Sequence, residues 1–315
     1  MVEDKSVAVV IPAYNEEKLL RETLRGIPDF VERIYVVDDA SRDGTVGQAH
    51  TAAASDPRIA VIVHEQNQGA GGAVITGYRR ALAEGYEVVC VMNADNQMDP
   101  EELLALASPV AKDEIDYAKA NRLFTGEAWD LIPHYRYLGN AFLSLFTKIA
   151  SGYWHIADSQ AGYTAISRRM LELLDLENIY TRYGYPNDML VHLNVWSARV
   201  RDIPSRPIYG VGEVSGIKLH SVVPRISWLL LKGFFWRLGH RYVIRDFHPL
   251  VFFYMAGFFS GLVGVALASY AVGRHFSPNP PTAGIAILVA LMMTFSVLFT
   301  LFAMWFDMET NKDLR

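Results

Sequence analysis

Side chains with oxygen atoms recur at every second position of one short segment. Asn93, Asp95 and Gln97 follow an apolar run at residues 88–92. Side chains two positions apart point to the same side of an extended chain, so the oxygens of Asp95 and Gln97 can face one ligand. Mg²⁺ and Mn²⁺ bind one or two protein oxygens and complete their shell with phosphates and water. We therefore predict a metal site at Asp95 and Gln97, where the cation would neutralise a diphosphate leaving group. Asp99 fits better as the cap of the next helix.

Polar residues also follow two earlier apolar runs. Residues 12–16 (Pro-Ala-Tyr-Asn-Glu) come after the run at residues 7–11, and residues 38–45 come after the run at residues 33–37. An acidic residue at the end of a strand can accept a hydrogen bond from a ribose hydroxyl or a nucleobase N–H. Asp43 fits equally well in a turn that caps a helix. Both segments are candidates for binding a nucleotide.

A glycine-rich segment, residues 67–73, follows a third apolar run at residues 59–63. Glycines let the backbone approach a phosphate or a neighbouring strand closely. The segment lacks the glycine spacing of a dinucleotide fingerprint and the lysine of a phosphate-binding loop. Ligand binding and packing therefore both remain open for these glycines.

The elements that must position these segments alternate between strand-like and helix-like patterns. The apolar runs are short and rich in Val and Ile, as in strands that are buried on both faces. Helix-length stretches such as residues 17–27 and 73–84 separate them. This alternation predicts an α/β domain with parallel strands. Ligands bind beyond the carboxyl ends of the strands in such sheets, and the polar segments lie there.

Two long apolar stretches follow in the C-terminal part of the chain. Residues 249–273 and 283–306 contain no Asp, Glu, Lys or Arg. As helices, both would be long enough to cross a hydrocarbon core of about 30 Å. Residues 274–282 between them are too few for a domain, so we expect a transmembrane hairpin.

Basic residues before the first apolar stretch indicate the orientation of the hairpin. No acidic residue interrupts them: Lys218, Arg225, Lys232, Arg237, Arg241 and Arg245. The connector contributes one competing charge, Arg274, so the positive-inside rule places the large N-terminal part in the cytoplasm. The lone Cys90 allows no internal disulfide, which fits a reducing compartment. We therefore predict an integral membrane protein with a cytoplasmic N-terminal domain.

Composition and local patterns bear on the partners of the chain. A formal net charge of -5 argues against a nucleic-acid-binding surface. Residues 222–238 mix aromatic and basic side chains, which is typical of a helix at a lipid surface. Residues 138–153 have a similar apolar character, but core packing also explains them. Small residues at near-helical spacing could pack against another helix and indicate a homo-oligomer. They are Gly257, Gly261, Gly264 and Ala268.

Taken in order, residues 12–16, 37–45 and 93–97 resemble the nucleotide-sugar elements of family 2 glycosyltransferases of the GT-A type. With its C-terminal hairpin, the chain is similar to the polyprenyl-phosphate glycosyltransferases of that family, which are dolichyl-phosphate mannose synthase-like. The resemblance implies a GT-A Rossmann-like mixed sheet with flanking helices, followed by interfacial helices and a two-helix transmembrane hairpin. The implied boundaries are residues 1–217 for a cytoplasmic glycosyltransferase domain, 218–247 for the juxtamembrane helices and 248–315 for the hairpin with a short tail.

The resemblance also implies roles for individual residues. Asp95, Arg122 and Arg136 would be catalytic, with Asp95 and Gln97 binding Mg²⁺ or Mn²⁺ and the two arginines facing the phosphate of a lipid acceptor. The nucleotide-binding positions would be Pro12, Tyr14, Glu16, Val37, Asp39, Asn93, Ala94, Arg206 and Lys218. Asn93 stands where the family usually has Asp, which removes a negative charge and lowers the expected metal affinity.

The implied reaction is the inverting transfer of a hexose from a UDP- or GDP-linked sugar to a polyprenyl or dolichyl phosphate. A phosphate oxygen is already an anion near neutral pH, so positioning and charge stabilisation can suffice without a general base. A hydroxyl acceptor would instead require a base, and Asp188 is the candidate. A catalytically silent membrane scaffold is a further alternative. Asp158 resembles a family segment that lines the acceptor side, but it could also be structural.

Overall fold

The computed structural model describes residues 1–124, 134–208, 219–275 and 282–315. The chain divides into two compact units, residues 1–235 with 313–315 and residues 236–312. Residues 218–247, which the sequence assigns to juxtamembrane helices, are divided between these units. Lys218 lies outside the described residues.

The first unit is built on one mixed sheet. The four predicted strands are present as β1 Val7–Ala13, β2 Arg33–Asp38, β3 Ile59–Val63 and β4 Val88–Val91. The described residues add β5 Tyr117–Asn121, β6 Thr164–Ser167 and β7 Val200–Pro204. The strand order is β3-β2-β1-β4-β6-β5-β7. β3, β2, β1 and β4 are parallel, as the alternation predicts, whereas β6 runs antiparallel to β4 and β5. The predicted fold class is confirmed.

Helices cover both faces of this sheet. They are α1 Leu20–Arg25, α2 Thr45–Ser55, α3 Ala70–Glu84, α4 Leu103–Ala111, α5 His134–Ser151, α6 Arg168–Leu173, α7 Tyr185–Val195 and α8 Leu219–Gly239, whose last residues belong to the second unit. Val7 and Val9 of β1 join one hydrophobic layer, and Ala8 and Val10 join the other. Because side chains alternate along a strand, burial on both faces explains the continuous apolar sequence of β1.

Helix α7 is buried along its whole length. Asn187 Nδ2 of α7 donates to Thr147 Oγ1 of α5 at 2.7 Å. On α8, a Cβ atom at Gly233 would lie 3.3 Å from Val191 of α7, so these two helices are in close contact. α5 and α8 therefore both pack on α7 and leave their other faces exposed. The exposed apolar side chains are Phe142, Leu145 and Phe146 on α5, and Trp228, Leu231 and Phe235 on α8.

The second unit contains the two apolar helices, α9 Leu250–Arg274 and α10 Ala283–Thr310. Both are long and apolar enough to cross a membrane. They pack along the glycines of α9, where Ser296 Oγ donates to Gly257 O at 2.8 Å. A Cβ atom at Gly261 would lie 2.7 Å from the same hydroxyl, and one at Gly264 would lie 3.2 Å from Met293 Sδ. These glycines thus pack against a helix of the same chain, and the homo-oligomer stays a prediction.

A buried ion pair connects the end of α8 to α10 within the second unit. Arg237 Nη1 and Nη2 donate to Asp307 Oδ1 and Oδ2 at 2.9 and 2.8 Å. The Tyr242 hydroxyl donates to Asp307 Oδ1 at 2.6 Å, and Asn311 Nδ2 donates to that hydroxyl at 3.1 Å. Both charged side chains are almost completely buried. Arg237 therefore has a structural role beyond its contribution to membrane orientation.

Removing one charge of this pair should destabilise the second unit. Asp307→Asn leaves the buried Arg237 without a counter-charge, and breaking a buried pair costs about 3–5 kcal/mol. We expect a lower thermal unfolding midpoint in detergent, measured by the near-UV circular dichroism of the aromatic residues. Replacing both partners, with Arg237→Met and Asp307→Leu, should recover most of the loss. The control is Asp313→Asn, which removes an exposed carboxylate. An unchanged midpoint for Asp307→Asn would contradict this account.

Candidate active site

The predicted nucleotide-binding segments meet at the carboxyl ends of β1 and β2. β1 is parallel to β2 and to β4, so the three strands end at one edge of the sheet. The loops after β1 and β2 are joined by hydrogen bonds from Asn15 N–H to Ser41 Oγ at 2.9 Å and from Glu16 N–H to Thr45 Oγ1 at 2.8 Å. The two segments therefore form one continuous surface.

Asp43 and Asp99 have local roles in turns. Asp43 Oδ1 accepts from the Thr45 N–H at 3.0 Å and also from the Thr45 hydroxyl. Asp99 Oδ1 accepts from the Glu101 N–H at 2.9 Å, at the start of a short 3₁₀ helix. Both residues thus cap helical turns, as the sequence allowed for Asp43 and favoured for Asp99.

Asp39 is buried and organises the glycine-rich loop. Asp39 Oδ1 lies 2.9 Å from His64 Nδ1 and accepts from the Gln68 N–H at 2.7 Å. Asp39 Oδ2 accepts from the Gly69 N–H at 2.7 Å. His64 Nε2 lies 2.9 Å from Thr76 Oγ1 of α3. This carboxylate therefore connects the end of β2 to the start of α3.

The glycines of this loop pack closely against the segment before α7. Gly72 N–H donates to Thr181 O at 2.9 Å. A Cβ atom at Gly71 would lie 2.6 Å from Tyr180 O. Gly69 has a φ of +92°, and a Cβ atom there would lie 2.7 Å from Thr181 O. The sequence left both ligand binding and packing open for these glycines, and these contacts demonstrate packing.

Asp95 and Gln97 lie in a tight turn after β4 and not in an extended segment. Asn96 between them has a φ of 56°, in the left-handed region, and Asp95 Oδ1 accepts from the Gln97 N–H at 3.2 Å. The alternation assumed from the sequence is therefore wrong, because a left-handed residue reverses the chain. Ala94 O accepts from Thr23 Oγ1 at 3.2 Å, which attaches the turn to α1.

Glu16 adds a third carboxylate to this edge. Burial, together with the negative charges of Asp95 and Asp43, raises the pKa of Glu16 to about 7. Among the described residues, no three His, Cys, Asp or Glu side chains converge on a complete metal site. Oxygen donors of this kind fit Mg²⁺ or Mn²⁺, which can bind one or two carboxylates and complete the shell with phosphates and water.

The other predicted nucleotide-binding residues differ in exposure. Those with exposed or partly exposed side chains are Pro12, Tyr14, Asn93 and Arg206. Val37 and Ala94 are buried in the two hydrophobic layers, so only their backbone atoms could contact a ligand. Arg206 follows β7, and its N–H donates to Glu102 Oε1 at 2.8 Å.

Arg122, predicted for the acceptor side, is held by Asp158. Arg122 Nε donates to Asp158 Oδ2 at 2.7 Å, and Nη2 donates to Oδ1 at 3.2 Å. The Asp158 side chain is 3% exposed and that of Arg122 is 30% exposed. Burial by itself would raise the pKa of Asp158, but the charge and hydrogen bonds of Arg122 outweigh it and the net shift is downward. Arg136 lies in the first turn of α5, and its side chain is outside the described structure.

A buried lysine next to this pair was not predicted as a site residue. Lys119 lies in the middle of β5, is fully buried, and donates from Nζ to Ala161 O. Burial lowers the pKa of Lys119 to about 8, while Asp158 and Asp202 oppose that shift. The available signal was a single charge between two alanines in a short buried strand, because buried lysines are rare unless they are paired.

Asp202 of β7 completes this group of charges. Its Oδ2 accepts from the Ala157 N–H at 2.7 Å and from Asn121 Nδ2 at 3.1 Å. Its Oδ1 is buried and has no hydrogen-bond partner within the part of the chain that the structure describes. Burial raises the pKa of Asp202 to about 6. Arg122, Lys119, Asp158 and Asp202 are therefore charges that compensate one another at the position predicted for the acceptor.

The mixed sheet, with polar loops at the carboxyl ends of its parallel strands, defines a nucleotide-binding α/β domain of the GT-A class. Residues 8–174 match the family described as Glycosyl transferase family 2. Since this match covers more than half of the chain, the protein belongs to glycosyl transferase family 2.

Similar proteins include several polyprenyl-phosphate enzymes. The UDP-N-acetylglucosamine–dolichyl-phosphate N-acetylglucosaminyltransferase of Methanococcus voltae is 28% identical over 65% of this chain and 87% of its own. The undecaprenyl-phosphate mannosyltransferase of Micrococcus luteus is 35% identical over 63% of this chain and 82% of its own. The polyprenol monophosphomannose synthase of Mycolicibacterium smegmatis is 32% identical over 71% of this chain and 87% of its own.

Solved structures confirm the fold. Glucosyl-3-phosphoglycerate synthase from Mycobacterium tuberculosis, crystallised with Mn²⁺, UDP and glucosyl-3-phosphoglycerate, superposes with a TM-score of 0.55. The alignment covers 75% of this chain and 81% of that chain at 18% identity. The same enzyme was also crystallised with Mg²⁺ and UDP. At this level of identity, the likeness establishes the GT-A architecture.

The raised pKa of Glu16 predicts that metal-nucleotide binding is linked to protons. With a pKa of about 7, Glu16 is partly protonated at neutral pH, and a bound cation nearby favours its ionised form. Binding should therefore release protons, and affinity for Mn²⁺ with UDP or GDP should rise between about pH 6 and pH 8. Isothermal titration calorimetry in two buffers of different ionisation enthalpy measures this release.

Glu16→Gln should reduce the proton release and the pH dependence to the part that comes from the terminal phosphate of the nucleotide, whose own pKa is about 6, because glutamine does not titrate in this range. Glu22→Gln, on the exposed surface of α1, is the matched control and should retain both. Equal proton release by the Glu16→Gln variant and the wild-type protein would show that another group is responsible.

Proposed function

We propose that this glycosyltransferase transfers a hexose from a UDP- or GDP-linked sugar to a polyprenyl or dolichyl phosphate, with inversion, at the cytoplasmic face of a membrane. The observation that carries the proposal is the guanidinium of Arg122, oriented by buried Asp158. β4 and β5 are both antiparallel to β6, so Arg122 follows β5 at the same edge as the Asp95 turn. The named activities of the three relatives support a polyprenyl phosphate as the acceptor.

The chemistry of this acceptor suits the residues present. Arginine stays charged and binds phosphate oxygens through paired N–H groups. In the proposed step, a phosphate oxygen forms a bond to the anomeric carbon while the bond from that carbon to the nucleoside diphosphate breaks. The diphosphate leaves with the electron pair, and a single displacement inverts the anomeric centre. Mg²⁺ or Mn²⁺ held by Asp95 and Gln97 would offset the charge of the leaving diphosphate. No proton has to be removed from the acceptor.

The exposed face of α8 supports a lipid-facing location. Trp228, Leu231 and Phe235 are exposed together with Arg225 and Lys232. Lys232 Nζ lies 5.5 Å from the centre of the Trp228 ring, a cation–π distance. Aromatic and basic side chains on one helix face bind the interface of an anionic membrane. Together with the positive-inside pattern, this face supports a cytoplasmic orientation of the catalytic unit.

The two alternatives have less support. A hydroxyl acceptor would require Asp188 as the base, but Asp188 is buried, its Oδ2 accepts from the Tyr180 N–H at 2.8 Å, and it lies 3.6 Å from His192 Nε2. That carboxylate is engaged inside the fold. A silent scaffold would not need an oriented Arg122 beside an acidic nucleotide edge.

Transfer from a panel of labelled UDP- and GDP-sugars to a short polyprenyl phosphate tests the proposal. We expect label in the lipid phase with one donor, inverted configuration in the product, and loss of transfer with EDTA. Arg122→Gln removes charged hydrogen bonds worth about 1.5–3 kcal/mol, so kcat/KM for the lipid should fall roughly 10- to 100-fold. Asp188→Asn should keep most of the activity. Transfer to hydroxyl acceptors only, abolished by Asp188→Asn, would establish the alternative enzyme class instead.

A further inference from the structure

The Arg122–Asp158 pair belongs to a group of four charges, in which Lys119 and Asp158 are buried and Arg122 and Asp202 are partly exposed. Lys119 on β5 and Asp202 on β7 are register partners on adjacent parallel strands. Lys119 interacts electrostatically with both carboxylates and with Arg122. Two cations and two carboxylates give the group, which we call the acceptor-side charge cluster, no formal net charge.

Packing alone does not account for a lysine at this position. Burying an ammonium group is unfavourable unless hydrogen bonds and opposite charges compensate. Ala118 and Ala120 beside Lys119 are buried as well, so an apolar side chain in the middle of β5 would avoid this desolvation. The presence of the charge therefore points to an electrostatic role.

Lys119 also anchors the segment that presents Asp158. Residues 157–161 are attached at both ends, where the Ala157 N–H donates to Asp202 Oδ2 at 2.7 Å and Ala161 O accepts from Lys119 Nζ. Asp158 lies between these anchors and directs its carboxylate to Arg122 Nε and Nη2. Lys119 thus influences both the position and the charge of the group that orients Arg122.

We propose that Lys119 is a positioning residue for the acceptor phosphate: it anchors residues 157–161 and offsets the carboxylates of Asp158 and Asp202, so that Arg122 attracts an anionic acceptor. The inference rests on the proposed function, because it takes Arg122 to be a phosphate-binding residue. Without the Lys119 charge, the acceptor-side charge cluster has one excess negative charge. That excess repels a phosphate and strengthens the hold of the carboxylates on the Arg122 guanidinium.

A double-mutant cycle that removes the two charges singly and together tests this role. Steady-state kinetics are measured with a short polyprenyl phosphate and the active donor, and the concentration of each substrate is varied in turn. Lys119→Met leaves an unbranched side chain that is one atom shorter, and it removes both the charge and the hydrogen bond to Ala161 O. We expect its KM for the lipid to rise about tenfold or more while the KM for the donor changes less than about twofold. Asp202→Asn makes the cluster positive and keeps an amide oxygen that can accept from the Ala157 N–H, so it should lower the lipid KM. The double variant is neutral again and should return the lipid KM towards that of the wild type.

Controls separate this effect from misfolding. Lys112→Met removes an exposed lysine that pairs with Glu3 and should change neither KM. Binding of UDP or GDP, measured by calorimetry, reports whether each variant keeps an intact donor side. If Lys119→Met does not fold, Asp202→Asn decides the matter, because a tenfold increase in its lipid KM would contradict a role based on net charge.

The outcomes distinguish this inference from the proposed function. Equal increases of both KM values in Lys119→Met, or a double variant weaker than either single variant, would show a packing role and overturn the inference alone. Wild-type protein that binds nucleotide but transfers no sugar to polyprenyl phosphate would overturn the proposed function, and the role given to Lys119 with it.

Discussion

The buried carboxylate of Asp39 connects the main parts of the donor side. A buried carboxylate is unfavourable unless its oxygens receive hydrogen bonds, and here the backbone N–H groups of Gln68 and Gly69 and the ring of His64 supply them. The glycine-rich loop must therefore fold over the end of β2, which sets where α3 begins. In the first turn of α3, Gly71 packs against the backbone of Tyr180 and the Gly72 N–H donates to Thr181 O. Through one side chain, the second strand thus positions both α3 and the segment that leads into α7.

Strand direction brings the donor and acceptor residues together. β1, β2, β4 and β5 all end at the same edge, so the chain delivers Glu16, Asp39, Asp95 and Arg122 there from four separate loops. The two halves of the edge are constructed differently. Backbone hydrogen bonds and tight turns build the half that we propose binds the donor, whereas compensating charges build the half that we propose binds the acceptor. This difference fits their ligands, because a nucleotide presents a shape to be enclosed and a phosphate presents mainly a charge.

Local sequence patterns predicted the elements well but predicted side-chain partners poorly. Val- and Ile-rich runs located the first four strands because burial on both faces leaves a continuous apolar signal. The turn at Asn96 was missed, since spacing alone cannot reveal a left-handed residue. Lys119 was missed because its partners Asp158 and Asp202 are distant in the sequence, and the Arg237–Asp307 pair spans 70 positions. The glycines of α9 gave a correct packing signal, and the structure shows α10 of the same chain as one packing partner.

The ionisable groups at the proposed acceptor side are better suited to binding an anion than to moving protons. Asp158 keeps a lowered pKa through Arg122, so it stays ionised and cannot serve as an acid near neutral pH. Asp202 and Lys119 have shifted pKa values of about 6 and about 8, but Lys119 is fully buried and the partly exposed Asp202 accepts hydrogen bonds from the Ala157 N–H and Asn121 Nδ2. Asp188 is engaged with the Tyr180 backbone. None of these groups is well placed to act as the general base that a hydroxyl acceptor requires. An acceptor that is already an anion requires only an oriented cation. Arg122 meets that requirement, and the physical character of its surroundings therefore favours a phosphate over a hydroxyl.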